Sequence, residues 1–444
     1  MIEKHPVRAL IKHIQLAHVR SQLEENITHI VTHLVLQLAV ILVAAKVAGE
    51  LTERYLKQPS VLGELCAGVI IGPFALGALS IPGLGVLFPL PHAAHGAAIF
   101  IPVSNELWSV AQIASVVLLF VAGLETDLKQ FLRFAPQASV VAIGGVFFPF
   151  VAGIYAPVLM GFTDNPFDTM PLFLGCVMTA TSVGITARIL GDIQQINTPE
   201  GVTILAAAVV DDVLGILALT IVIGIAETGG VSISNVALVG GKATGFWLAL
   251  TIGGILIAPY ISRLLLKFQS TGASLALALG LAFIAAALAE MFGLAMIIGA
   301  YSIGLALSGT ELKERIMEPL ESLFHGLVPI FFVVMGMLVN LEAMTASIGL
   351  GIVLTILAIL SKVFGSGLPA LAVGFNRIGS TRIGIGMLPR GEVALIVAGI
   401  GLARGVIGPD IFGVAILMTV VTTFLAPILL VPSFKSGGDG LTKH

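Results

Sequence analysis

The chain has 444 residues, 57% of them apolar and only 11% charged, and its mean hydropathy is +1.06. Soluble domains carry about 25% charged residues, so this composition describes an integral membrane protein. A net charge of −3 with no basic block argues against a nucleic-acid partner, and Cys66 and Cys176, both inside apolar runs, make no disulfide framework.

The opening segment, Met1 to about Thr28, carries Lys4, Arg8, Lys12 and Arg20 with Leu10, Ile11, Ile14 and Leu16 between them. It reads as an amphipathic interfacial helix or a mobile tail (residues 1–30), too long and polar for a secretory signal peptide. Apolar segments able to span follow at about Val31–Gly49, Val61–Leu79, Leu107–Gly123, Ala138–Met160, Pro171–Leu190, Gly201–Ala226 and Val236–Ile261. The remainder lie at Ala273–Ala289, Leu294–Leu307, Leu327–Val339, Ile348–Ala370, Ile383–Gly401 and Ile411–Val431. These thirteen spans, most near the roughly 20 residues a bilayer requires, predict an all-α membrane protein; the ninth and tenth are short.

Loop charges orient it. Arg54/Lys57, Lys129/Arg133, Arg188, Arg263/Lys267, Lys313/Arg315, Arg377/Arg382 and Lys435/Lys443 follow odd-numbered spans; loops after even-numbered spans are nearly free of Lys and Arg, Arg404 excepted. The positive-inside rule then sets the N-terminus outside and the tail, 433–444, in the cytoplasm, although the basic opening segment pulls the other way. Thirteen spans divide into two six-span halves joined by the seventh, so equivalent spans lie seven apart and the halves are inverted repeats, a transporter architecture. Two interruptions fall at equivalent places. Thr179-Ala180-Thr181-Ser182-Val183-Gly184 breaks the fifth span; Gly384-Ile385-Gly386-Met387-Leu388-Pro389-Arg390-Gly391-Glu392 breaks the twelfth, where Pro389 removes a backbone donor and frees carbonyls.

The sixth span holds adjacent carboxylates, Asp211 and Asp212. Each acid at a bilayer centre costs about 2.5–3.5 kcal/mol on insertion scales, so the pair reads as a site. Neighbours on a helix diverge by about 100°, leaving one free to face water while the other faces a neighbouring helix. Desolvation and mutual repulsion make protonation compete with cation binding there. Lys362 is the candidate countercharge, about fourteen residues into the eleventh span and roughly 20 Å deep, and a desolvated lysine is also a candidate second proton carrier. A small alkali cation wants hard oxygens, which Asp212, the hydroxyls of Thr181 or Ser182 and the freed carbonyls supply. A purely structural ion pair with Lys362 is the alternative, but two carboxylates against one lysine leave a charge unbalanced. Glu64 and Arg390 with Glu392 read as structural ion pairs bracing the broken spans. Lys46 and Lys242 read as snorkelling, Glu125 and Asp127 as a solvated face, and His325, His92 and His95 as interfacial. No phosphate loop, zinc motif or dinucleotide fingerprint is present.

Several runs resemble one family. Gln58-Pro59-Ser60-Val61-Leu62-Gly63-Glu64-Leu65 through Ile71-Gly72-Pro73, Leu119-Phe120-Val121-Ala122-Gly123-Leu124-Glu125, the Thr179–Thr186 run and Pro389-Arg390-Gly391-Glu392-Val393-Ala394-Leu395 are similar to signatures of the monovalent cation:proton antiporter-2 family. The Asp pair with Lys362 is most similar to its NapA-type sodium/proton branch. The resemblance implies sodium(lithium)/proton exchange serving pH and sodium homeostasis, with no cofactor beyond the transported Na+ and H+. It implies a homodimer in a bacterial inner membrane or a thylakoid membrane. Within residues 31–432, a mobile core (about 107–226 and 324–432) would move elevator-fashion against a scaffold (about 31–79 and 236–308). Asp212 would carry cation and proton, Asp211 would bridge Lys362, and Glu64 and Arg390 would brace the core. Potassium-efflux members carry a cytosolic nucleotide-binding domain, which this chain is expected to lack. Potassium/proton exchange is the alternative substrate, and a channel and an intramembrane aspartyl protease are the alternatives of other classes. The protease would need its two carboxylates to face each other from different elements.

Overall fold

The computed structural model describes residues 5–82, 85–91, 101–228, 233–340, 342–345 and 348–442, with 5–27 as backbone alone. His92 and His95 lie outside the described residues. Among the described residues, eleven helical segments are long and apolar enough to cross a membrane, and two shorter apolar helices accompany them. The protein is a multi-pass, mostly helical membrane protein.

The first helix, α1 (His5–Leu51), runs unbroken from the opening segment into the first span, where a separate surface helix was expected. Between Pro6 and Gly49 the sequence contains no glycine or proline to interrupt it. α2 (Ser60–Ile71) is shorter than its apolar run, because Gly72 is extended and Pro73 follows; a two-stranded hairpin, β1 (Ser80–Ile81) and β2 (Gly85–Val86), comes next. α3 (Asn105–Glu125) starts on a Ser104 cap and α4 (Leu128–Leu159) on an Asp127 cap, so Asp127 is a capping group.

The fifth span is two helices, α5 (Thr169–Thr179) and α6 (Val183–Asp192), and α7 (Pro199–Thr228) carries the Asp pair. Then come α8 (Ile233–Leu265), α9 (Ala273–Met291) and the short α10 (Met296–Leu307). α11 (Glu311–Met337) is twice the length expected of the tenth span, since its first half is charged and amphipathic and raises no hydropathy signal. α12 (Ile348–Ala372) holds Lys362; the twelfth span is again two helices, α13 (Arg377–Gly386) and α14 (Glu392–Ala403), before α15 (Pro409–Lys435).

Packing sorts these helices into two groups. In one, α2 packs on α1 and α11, and α10 on α3 and α9, with α3 also against α11. In the other, α4 packs on α5, α7 and α12, α12 on α13 and α15, and α14 on α5 and α15. α8 touches both, through α10 and α7. α3 and α11, within the stretches 107–226 and 324–432, pack with the helices of 31–79 and 236–308. The reason is local: Gly123 and Gly304 meet backbone to backbone, where any Cβ would collide with Tyr301 O or Phe120 O.

Candidate functional site

The two interruptions touch. The backbone N–H of Ser182 donates to Pro389 O at 2.8 Å, Thr186 Oγ1 donates to Gly386 O at 2.9 Å, and Thr181 Oγ1 donates to Met387 O at 3.3 Å. Unwound backbone inside a membrane protein must satisfy its polar groups against protein, and here each break supplies partners for the other. The hydroxyls of Thr181 and Ser182 are occupied in that junction, the second as the cap of α6.

α5 ends at the junction, leaving terminal carbonyls without helical partners. Two buried cations answer them. Arg390 Nη2 donates to Met178 O at 2.6 Å, and Lys362 Nζ donates to Thr179 O at 2.7 Å. Lys362 also donates to Gly145 O on α4 and to Asp211 Oδ1, both at 2.8 Å. It reaches α4 because Gly144 and Gly365 let α4 and α12 approach; a Cβ on Gly144 would strike Gly365 O. Lys362 is 0% exposed and all three ammonium protons have acceptors.

Asp211 is thus tied to Lys362. Asp212, one residue on, points elsewhere: it lines a cavity of about 290 Å³ and its buried Oδ2 has no protein partner. Thr179, Ala180, Glu392, Glu290, Trp108 and Gln112 line the same cavity, whereas Thr181 and Ser182 do not. Thr179 and Glu392 thus share the cavity lining with Asp212.

The pairing of the bracing charges also differs from expectation. Glu64 lies 3.6 Å from Arg188 on α6, not beside Arg390, while Glu392 faces the cavity. Arg390 is held by backbone, donating to Met178 O and Leu388 O, and its own carbonyl accepts from Thr423 Oγ1. Arg188, read from sequence as a loop charge, is buried and also donates to Ser60 Oγ at 2.9 Å and lies over the Phe324 ring. Arg382, read the same way, is buried on α13 with Glu200 at 2.6 Å, and donates to Ser433 O, Gly437 O and Gly438 O. Their signal was helical register: each sits on a half-helix of a broken span rather than beyond its end.

The family profile described as sodium/hydrogen exchanger, transmembrane, matches residues 35–436. The chain belongs to that family. This is a family of transporters rather than enzymes, and the aspartyl protease reading falls with it. Asp211 and Asp212 are neighbours on one helix with Asp211 bound to a lysine, which is not the protease arrangement either. The chain is 34% identical over 407 residues to the high-affinity Na+/H+ antiporter NhaS3 of Synechocystis, covering 87% of each. It is 36% identical to the probable Na+/H+ antiporter GerT of Bacillus cereus (88% of this chain, 96% of that one). It is 34% identical to the Na+/H+-K+ antiporter GerN of the same organism (89% and 94%). Its fold matches the solved sodium proton antiporter MjNhaP1 of Methanocaldococcus jannaschii, with a TM-score of 0.65 at 18% identity, over 91% of this chain and 99% of that one.

Proposed function

We propose that the protein is a secondary-active sodium(lithium)/proton antiporter in which Na+ and H+ compete for Asp212. The observation that carries this reading is the division between the two acids. Asp211 is neutralised by Lys362, while Asp212 presents an unpartnered buried oxygen to the cavity at the meeting point of two broken helices. A carboxylate so placed needs a cation or a proton, and binding one excludes the other. Relatives named as Na+/H+ antiporters over nearly the full chain support sodium as the ion, and K+ enters their names only alongside Na+, in GerN.

Eleven long and two short apolar helices support thirteen crossings, and breaks at α5/α6 and α13/α14 support two inverted six-span halves. In this reading α4–α7 and α12–α15 form the moving core, and α1–α3 with α9–α11 form the scaffold and the face of a homodimer. Sliding of the core carries Asp212 between membrane faces. The positive-inside rule sets the first helix outward and the tail in the cytoplasm, so the cavity opens outward between α9 and α3. Lys362 releasing its proton when the pair rearranges would make exchange electrogenic, more protons than cations per cycle.

The test is a proteoliposome assay of cation-driven pH change with Na+, Li+ and K+, with membrane potential clamped and unclamped. Na+ and Li+ are expected to drive exchange that Asp212→Asn abolishes. Undiminished sodium-driven flux in Asp212→Asn vesicles contradicts the reading.

A further inference from the structure

We propose that Glu290 is a cation-recruiting residue fixed to the scaffold, which raises the rate at which Na+ reaches Asp212 from one membrane face only. The inference rests on the exchange reading above and adds a second, stationary carboxylate to it.

Glu290 sits in the last turn of α9, is exposed, and lines the same cavity as Asp212. Its place there is set by a tight turn. Gly293, at φ +83°, reverses the chain so that the start of α10 returns beside the end of α9. Ala295 and Met296 at that start thus line the same cavity as the carboxylates of Asp212 and Glu290. The cavity lining therefore holds Asp211, Asp212, Glu290 and Glu392, and no lysine or arginine among the described residues. Within it the side chains are graded. Asp212 Oδ2 and Glu392 Oε2 are buried without protein partners, whereas Glu290 meets solvent.

An ion arriving from bulk water thus encounters the negative charge of Glu290 before the buried oxygens. Charge of one sign in a low-dielectric cleft concentrates counter-ions and raises encounter rates. The two groups also belong to different bodies, since α9 packs with α10 and α3, while α7 packs with α4 and α5. When the core moves, Glu290 stays at its face and no longer neighbours Asp212, so its influence is confined to entry and exit on that side.

The competing role is a plain cap for the α10 N-terminus. Glu290→Gln separates the two, because the amide keeps the side chain's size and an acceptor oxygen while the charge is gone. Sodium-dependent proton flux is measured in right-side-out and in inverted membrane vesicles at low ionic strength, and again with choline chloride added. Glu290→Gln is expected to raise the KM for Na+ by roughly tenfold in one vesicle orientation only, near the low end of steering effects in charged clefts, with maximal rate kept. The difference should shrink with added choline salt, and Glu290→Asp should retain most of the wild-type value. An unchanged KM in both orientations overturns the proposal. So does a salt-independent loss of maximal rate with a lowered melting temperature, which marks a cap. Wild-type vesicles with no sodium-dependent proton flux would instead overturn the exchange reading itself.

Discussion

Lys362 draws its three acceptors from three helices, Gly145 on α4, Thr179 on α5 and Asp211 on α7, and thereby ties α12 to all three. Removing one partner of a buried pair leaves the other uncompensated, at a cost of roughly 3–5 kcal/mol. Lys362→Gln is therefore expected to lower the melting temperature of the purified protein while leaving sodium-driven proton flux measurable, with its response to membrane potential reduced. A variant as stable as wild type and equally electrogenic would show that the lysine neither locks nor carries. The chemistry at this scale was legible because charges inside apolar runs are conspicuous: Asp211, Asp212, Lys362, Arg390 and Glu392 all announce themselves. Beyond the Asp211–Lys362 pair, the partners of the buried charges were not legible. Arg188 and Glu290 sit near the ends of spans, where a charge looks like any interfacial one, and the side-chain orientation of Thr181 and Ser182 depends on a neighbour 200 residues away along the chain, as the Thr186 to Gly386 bond illustrates.

At the scale of elements, the half-helix α6 joins one packing group to the other. Arg188 reaches Ser60 and Glu64 on α2 and covers Phe324 on α11. The sliding proposed above would have to part these contacts, so they would favour the conformation described here. Removing Arg188 alone would strand Glu64, and the informative variant is Arg188→Ala combined with Glu64→Gln. In a background lacking Cys66 and Cys176, a cysteine introduced by Gly215→Cys in the cavity reports its accessibility to a membrane-impermeant maleimide. The double variant is expected to label more slowly, by up to about two- to fivefold, since loss of about 0.5–1 kcal/mol of bias changes the ratio of the two states by that factor. Unaltered labelling would mean that α6 does not latch the conformation. The broken helices themselves were readable from Pro389 and the Thr179–Gly184 run, since each departs from the surrounding apolar pattern. The length of α11 was not, because its charged first half carries amphipathic rather than apolar character.

At the scale of the molecule, the two packing groups lie on either side of one cavity, with Asp212 on α7 in one group and Glu290 on α9 in the other. The multi-pass, mostly helical character came readily from hydropathy, whereas membership of the groups did not, since it depends on glycine contacts such as Gly123 with Gly304 that only the folded chain creates. The central claim is that Na+ and H+ exclude one another at Asp212, and the dependence of apparent Na+ affinity on pH tests it most directly. Lowering the pH fills the carboxylate with protons, so more Na+ is needed to displace them. With one proton competing, the KM for Na+ in wild-type proteoliposomes should rise by about tenfold for each unit of acidification on the acidic limb, while the maximal rate at saturating Na+ holds. A KM that stays constant as the maximal rate falls would mean that proton and cation bind at separate places, and would contradict the account.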